Sequence, residues 1–158
     1  MPKLNIYLNF PGNTEEVFNF YKSVFGGEFN SVIRYRDMPM PGVTLSKEDE
    51  NKLMHISLPI GKNDALMASD NLESMGQPKV TPGNNIYISY HPDTKEEADR
   101  VWNALSAGGK IEMEIAEQPW GDYWGSFTDK YGVMWMVDLE TEKSRDFANN
   151  MMMAAQRR

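Results

Sequence analysis

The sequence predicts an α+β fold in which one βαβββ module occurs twice, followed by an extra C-terminal helix. Three observations predict it. The first is an internal repeat. Asn5-Ile6-Tyr7-Leu8-Asn9-Phe10 returns as Asn85-Ile86-Tyr87-Ile88-Ser89-Tyr90, Glu15-Glu16 as Glu96-Glu97, and Gly26-Gly27 as Gly108-Gly109, at offsets of 80, 81 and 82 residues. The second is period-two alternation at the start of each half. The third is a helix signature that follows it in both copies.

Taken in order, Leu4, Ile6, Leu8 and Phe10 alternate with Asn5, Tyr7 and Asn9. That spacing predicts a strand with one apolar face and one polar-aromatic face. Asn13 with Glu16 has the spacing of a capping box, and Val17, Phe18, Tyr21, Val24 and Phe25 form the stripe of a helix that Gly26-Gly27 ends. Three more strands are expected at about 28–36, 52–60 and 65–69, with Gly61-Lys62-Asn63-Asp64 as the turn between the last two.

The second half repeats the plan. Ile86, Ile88 and Tyr90 oppose Asn85, Tyr87 and Ser89; Asp93 and Glu96 start a helix carrying Ala98, Val101, Trp102 and Leu105. Strands follow at about 110–117, 123–128 and 133–139, with a turn at Asp129-Lys130-Tyr131-Gly132. One domain over 1–139 is expected, with module 1 over 1–70, a linker at 71–83 and module 2 over 84–139. Residues 140–158 form a helical tail whose Phe147, Met151, Ala154 and Ala155 suit packing on the body or on a second subunit; a frayed end is the other reading. Loops 37–51 and 70–83 are long enough to be lids, or plain surface loops.

Composition narrows the function classes. The net charge of −7 argues against nucleic acid, which needs a concentrated basic face, and against an anionic membrane surface. With no Cys, disulfides, thiolate nucleophiles and CxxC-type zinc sites are excluded. No signal peptide or membrane span is visible, so a cytoplasmic location is expected.

A sheet with a helix on its outer face leaves the other face to cover something. Here that face carries Asn5, Tyr7, Asn9, Asn85, Tyr87 and Ser89, a set suited to lining a cup-shaped cavity between the two curved sheets. The plainer alternative is a closed interior in which these residues bond one another. His55, on a strand face with Ser57, is an acid–base candidate or a packing residue. Trp120, Tyr123, Trp124 and Phe127 form either an aromatic wall or a clamp between strands, whereas Trp135 reads as core. Asp138 and Ser69 could rim the cup, and His91 reads as a turn residue.

With these residues in place, the chain resembles the vicinal oxygen chelate superfamily (glyoxalase, bleomycin-resistance and dioxygenase proteins), and within it the PhnB-like branch. Tyr21-Lys22-Ser23-Val24-Phe25-Gly26-Gly27-Glu28, His55-Ile56-Ser57-Leu58-Pro59-Ile60-Gly61 and Leu66-Met67-Ala68-Ser69-Asp70 carry the likeness. So do Gly109-Lys110-Ile111-Glu112-Met113, Gln118-Pro119-Trp120-Gly121 and the run Phe127-Thr128-Asp129-Lys130-Tyr131-Gly132-Val133-Met134-Trp135-Met136. The resemblance implies metal-ligand positions at Asn5, Met67, Asn85 and Met136. Two neutral amides and two thioethers suit no single dication, so no metal and no other cofactor is expected.

The leading expectation is a metal-free small-molecule binding protein and a homodimer. It would hold an apolar or aromatic ligand with Asn5, Tyr7, His55, Met67, Asn85, Tyr87, Trp120, Trp124 and Met136. The alternative is an enzyme of the superfamily, either a metal-dependent lyase, isomerase or dioxygenase, or an acid–base catalyst using His55. An adaptor with a filled cup is a third reading. Some proteins of the branch carry a methyltransferase label, but no Gly-rich turn after a parallel strand is present here, and methyl transfer is not expected.

Overall fold

A computed structural model describes residues 1–158. It divides into two compact units, Met1–Thr81 and Pro82–Arg158. In the first, strand β1 (Ile6–Phe10) leads to helix α1 (Thr14–Phe25), β2 (Ser31–Arg34), the short helix α2 (Lys47–Asn51), β3 (Leu53–Ile60) and β4 (Asp64–Asp70). The second contains β5 (Ile88–Tyr90), α3 (Lys95–Ser106), β6 (Lys110–Glu117), β7 (Tyr123–Thr128), β8 (Met134–Leu139) and the C-terminal α4 (Glu142–Gln156). Each unit holds a four-stranded mixed sheet, in the orders β1-β4-β3-β2 and β5-β8-β7-β6. In both, the first strand runs parallel to the last and the other pairs are antiparallel. The two predicted βαβββ modules are therefore present.

One face of each sheet is dry. Val17, Phe18, Tyr21 and Val24 of α1 are buried with Leu53, Ile56, Leu58, Leu66 and Ala68 of β3 and β4. In the second unit Ala98, Val101, Trp102 and Leu105 of α3 are buried with Ile88, Phe127, Trp135 and Val137. Trp102 meets Phe127 edge to face at 5.0 Å, and it lies so close over Gly125 that an added Cβ there would come within 2.7 Å of its ring. Each fully buried apolar side chain of this size contributes about 1.5–3 kcal/mol, so these stripes hold the helices down.

Several sequence expectations need correction. The expected strand at 85–90 begins only at Ile88, because Ile88 pairs with Trp135 and β8 starts one residue earlier, leaving Asn85 and Ile86 no partner. The strand expected at 28–36 shortens to Ser31–Arg34. There the Arg34 amide donates to the Asp37 carboxylate at 2.8 Å and tightens Tyr35–Asp37 into a 3₁₀ turn. Leu4 and Ile6 do not join the core. Phe10 is buried, but Ile6 is 38% and Leu4 91% exposed, since Leu4 precedes the strand.

The caps also differ. Asn13 occupies the N-cap of α1 without a side-chain cap bond. Asp70, at the end of β4, reaches the helix start instead: Oδ1 accepts from the Thr14 amide at 3.0 Å and its hydroxyl at 2.6 Å, while Oδ2 accepts from the Leu53 amide at 2.8 Å. In α3 the cap is Thr94, which accepts from the Glu97 amide, rather than the neighbouring Asp93. The expected C-terminal helix is present and is tied down through its first turn. Thr141 donates to the Gly121 carbonyl at 2.6 Å, Ser144 is buried, and beyond it Phe147, Met151, Met152 and Met153 are exposed.

Candidate functional site

Residues paired across neighbouring strands project to the same sheet face. Beyond Leu53, which is buried at the start of β3, the helix takes the even-numbered face of β1, β3 and β4, so the odd-numbered residues form the opposite face of the first unit. Tyr7 pairs with Met67 and Met67 with Ser57, while Asn9 pairs with Ser69. The Tyr7 hydroxyl spans β4 to lie 3.3 Å from His55 Nδ1 on β3, with the rings 5.8 Å apart. Ser69 donates to Asn9 Oδ1 at 3.3 Å. Tyr7, His55 and Met67 thus come together; Asn5 sits exposed just ahead of β1.

In the second unit the uncovered face carries Ser89, Met136, Trp124, Ser126 and Thr128 by register. Tyr87 leads into β5 at one edge of this sheet. Its hydroxyl donates at 2.6 Å to Oε2 of Glu112 on β6, the strand at the opposite edge. Ser126 donates to the same oxygen and Thr128 to Oε1, both at 3.4 Å. The anion beside it holds the Tyr87 hydroxyl above its ordinary pKa. Glu112 is the residue that sequence reasoning missed. In Lys110-Ile111-Glu112-Met113-Glu114 the acids look like a solvated face, and only the match in parity with Ser126 and Thr128 could have flagged one of them.

The four clustered aromatics divide between faces. Phe127 is fully buried under α3, and the Tyr123 hydroxyl donates to Asp99 of that helix, with burial and then that carboxylate pushing its pKa up to about 12. Trp124 lies on the uncovered side and meets Trp120 edge to face at 5.8 Å. Trp135 is core, as expected, and its indole N–H donates to Asp129 Oδ2.

Beside Trp124, Asp138 faces Asp122 with a buried, donorless oxygen on each. Burial, and next the Asp122 carboxyl, raise Asp138 to about 6. Below about pH 6 the proton on Asp138 supplies the missing donor.

The donor set does not suit the superfamily's metal. The positions the resemblance implies hold the amides of Asn5 and Asn85, both exposed ahead of their strands, and the thioethers of Met67 and Met136. No group of three or more His, Asp or Glu side chains gathers in a geometry able to hold an ion. Hard dications need anionic oxygen or imidazole donors, so these residues do not fit that ion.

The comparisons accord with the two-sheet architecture. A model of the Glyoxalase/Bleomycin resistance protein/Dioxygenase superfamily matches residues 3–137. Protein YjdN of Escherichia coli (strain K12) is 27% identical over 143 residues, 86% of this chain and 94% of that one. The crystal structure of protein PA1353 from Pseudomonas aeruginosa superposes with a TM-score of 0.77 at 35% identity, covering 89% of this chain and 98% of the other. A Bacillus cereus PhnB protein, carrying a provisional 3-demethylubiquinone-9 3-methyltransferase label, gives a TM-score of 0.66 at 30% identity over 88% of this chain and 100% of its own. A match that spans both repeats shows that this chain belongs to the glyoxalase/bleomycin resistance protein/dioxygenase superfamily.

Proposed function

We propose that the protein binds a small apolar or aromatic molecule on the uncovered faces of its two sheets, without a metal. The observation that carries this reading is the composition of those faces. Each presents a thioether (Met67, Met136) beside a tyrosine hydroxyl anchored across the sheet (Tyr7, Tyr87), and the second adds the Trp120–Trp124 pair. Apolar lining with a few fixed polar groups is what small-molecule sites use. Binding needs no catalytic group.

Titration with neutral naphthalene-sized aromatics, followed by tryptophan emission, tests it. A saturable change that weakens in Trp124→Phe is expected. No saturation up to the solubility limit of the ligands overturns the reading.

A second reading, acid–base catalysis at His55, is favoured by the contact of its Nδ1 with the Tyr7 hydroxyl. It requires turnover that His55→Gln abolishes, whereas a pure binder loses only affinity.

A further inference from the structure

On the second unit's uncovered face, Glu112 is an anion with no cation. The ion pairs of the chain join Lys22–Glu28, Arg34–Glu15, Arg36–Asp37, Lys52–Glu48, Arg100–Glu97 and Lys143–Glu117, and none involves it. What surrounds it is hydroxyl: Tyr87, Ser126 and Thr128 each spend their one proton on its two oxygens. With those protons committed, the carboxylate and three hydroxyl oxygens offer only lone pairs to an incoming group. Ser126 is 4% exposed, so part of this acceptor cluster is set into the sheet. Met136 pairs with Ser126, and Trp124 lies two residues before Ser126 on the same face of β7. A patch of acceptors around one uncompensated negative charge, edged by a thioether and an indole, favours a cationic hydrogen-bond donor with an apolar body.

We propose that Glu112, held by Tyr87, Ser126 and Thr128, receives the protonated amine of an otherwise apolar or aromatic ligand. This rests on the binding reading above and names its ligand class. Glu112 contacts the ligand; Tyr87 positions the carboxylate by bridging from the far edge of the sheet.

The test compares naphthylmethylammonium, naphthylmethanol and naphthoate, which share one ring system and differ in charge. Calorimetric titration of the native protein is expected to rank the ammonium first and the carboxylate last. Glu112→Gln should weaken the ammonium by about tenfold or more and leave the alcohol within about twofold. Thr128→Val, which keeps the charge, should cost the ammonium less than Glu112→Gln does. If the alcohol binds the native protein as tightly as the ammonium, the amine assignment is overturned while the binding reading stands. The amine assignment is likewise overturned if Glu112→Gln leaves the ammonium affinity unchanged. If none of the three binds, both fall. The ranking on the native protein does not depend on any variant folding.

Discussion

Asp138 takes up its proton near pH 6 in the folded protein, against an ordinary carboxylate value of 3.8. A raised folded-state value means that the folded form binds the proton more tightly, so its contribution is full below the unfolded value and is lost as pH rises through about 6. His91 lies on the opposing side of the balance and Glu140 reinforces the shift. Asp138→Asn keeps the shape, gives Asp122 a permanent donor and removes the titration. We expect thermal melts on the alkaline side of that midpoint to rise by roughly 2–4 °C for each 1 kcal/mol regained, with the native protein's decline across it abolished. A decline that persists in the variant would reject the assignment of that proton to Asp138. At this scale the sequence was only partly legible. Trp135 alternates away from Met136 and is core, and Tyr7, His55 and Met67, each expected to contact a ligand, lie on three neighbouring strands of one sheet. Glu112 and the Asp122–Asp138 pair were not legible, because each depends on which strands neighbour each other, and alternation within one strand is silent about that.

Elements were more legible than their ends. The strands at 110–117 and 123–128 match β6 and β7 residue for residue; for β6 the long alternating run between Gly109 and Pro119 leaves little choice. The starts of α1 and α3 were harder. Asp93 and Thr94 are both competent caps in sequence, and backbone geometry selects the second. For α1 the donor groups are satisfied by Asp70, distant in sequence and 1% exposed. Asp70→Ala would leave Thr14 N–H, Thr14 O–H and Leu53 N–H without their acceptor. At about 1–3 kcal/mol for an unsatisfied buried donor, a loss of about 3–5 kcal/mol is expected, a large share of a domain's usual 5–15 kcal/mol. Urea unfolding measures it. A loss below about 1 kcal/mol would show that water replaces the carboxylate. No local pattern announces such a cap.

At the level of the whole molecule the duplication was the most readable feature, because each copy restates the order of strand, helix and Gly-Gly. What the copies no longer share is their chemistry: Tyr7 and Tyr87 occupy the same place in the repeat, yet one meets an imidazole and the other a carboxylate. The family's ion has no matching donors in either copy. Millimolar manganese or zinc should therefore leave the melting temperature unchanged, since only an ion that binds the native state raises it. A saturable rise would overturn the metal-free reading.

The contact between the tail and Gly121 has a mechanical corollary. Gly121 has φ 101°, and an added Cβ would come within 2.5 Å of the Ser144 amide, so the start of α4 rests directly on bare backbone. The preceding residue is Trp120, one half of the indole pair. The seat of the C-terminal helix and the indole pair are thus one peptide unit apart, so a side chain added at Gly121 would disturb both at once.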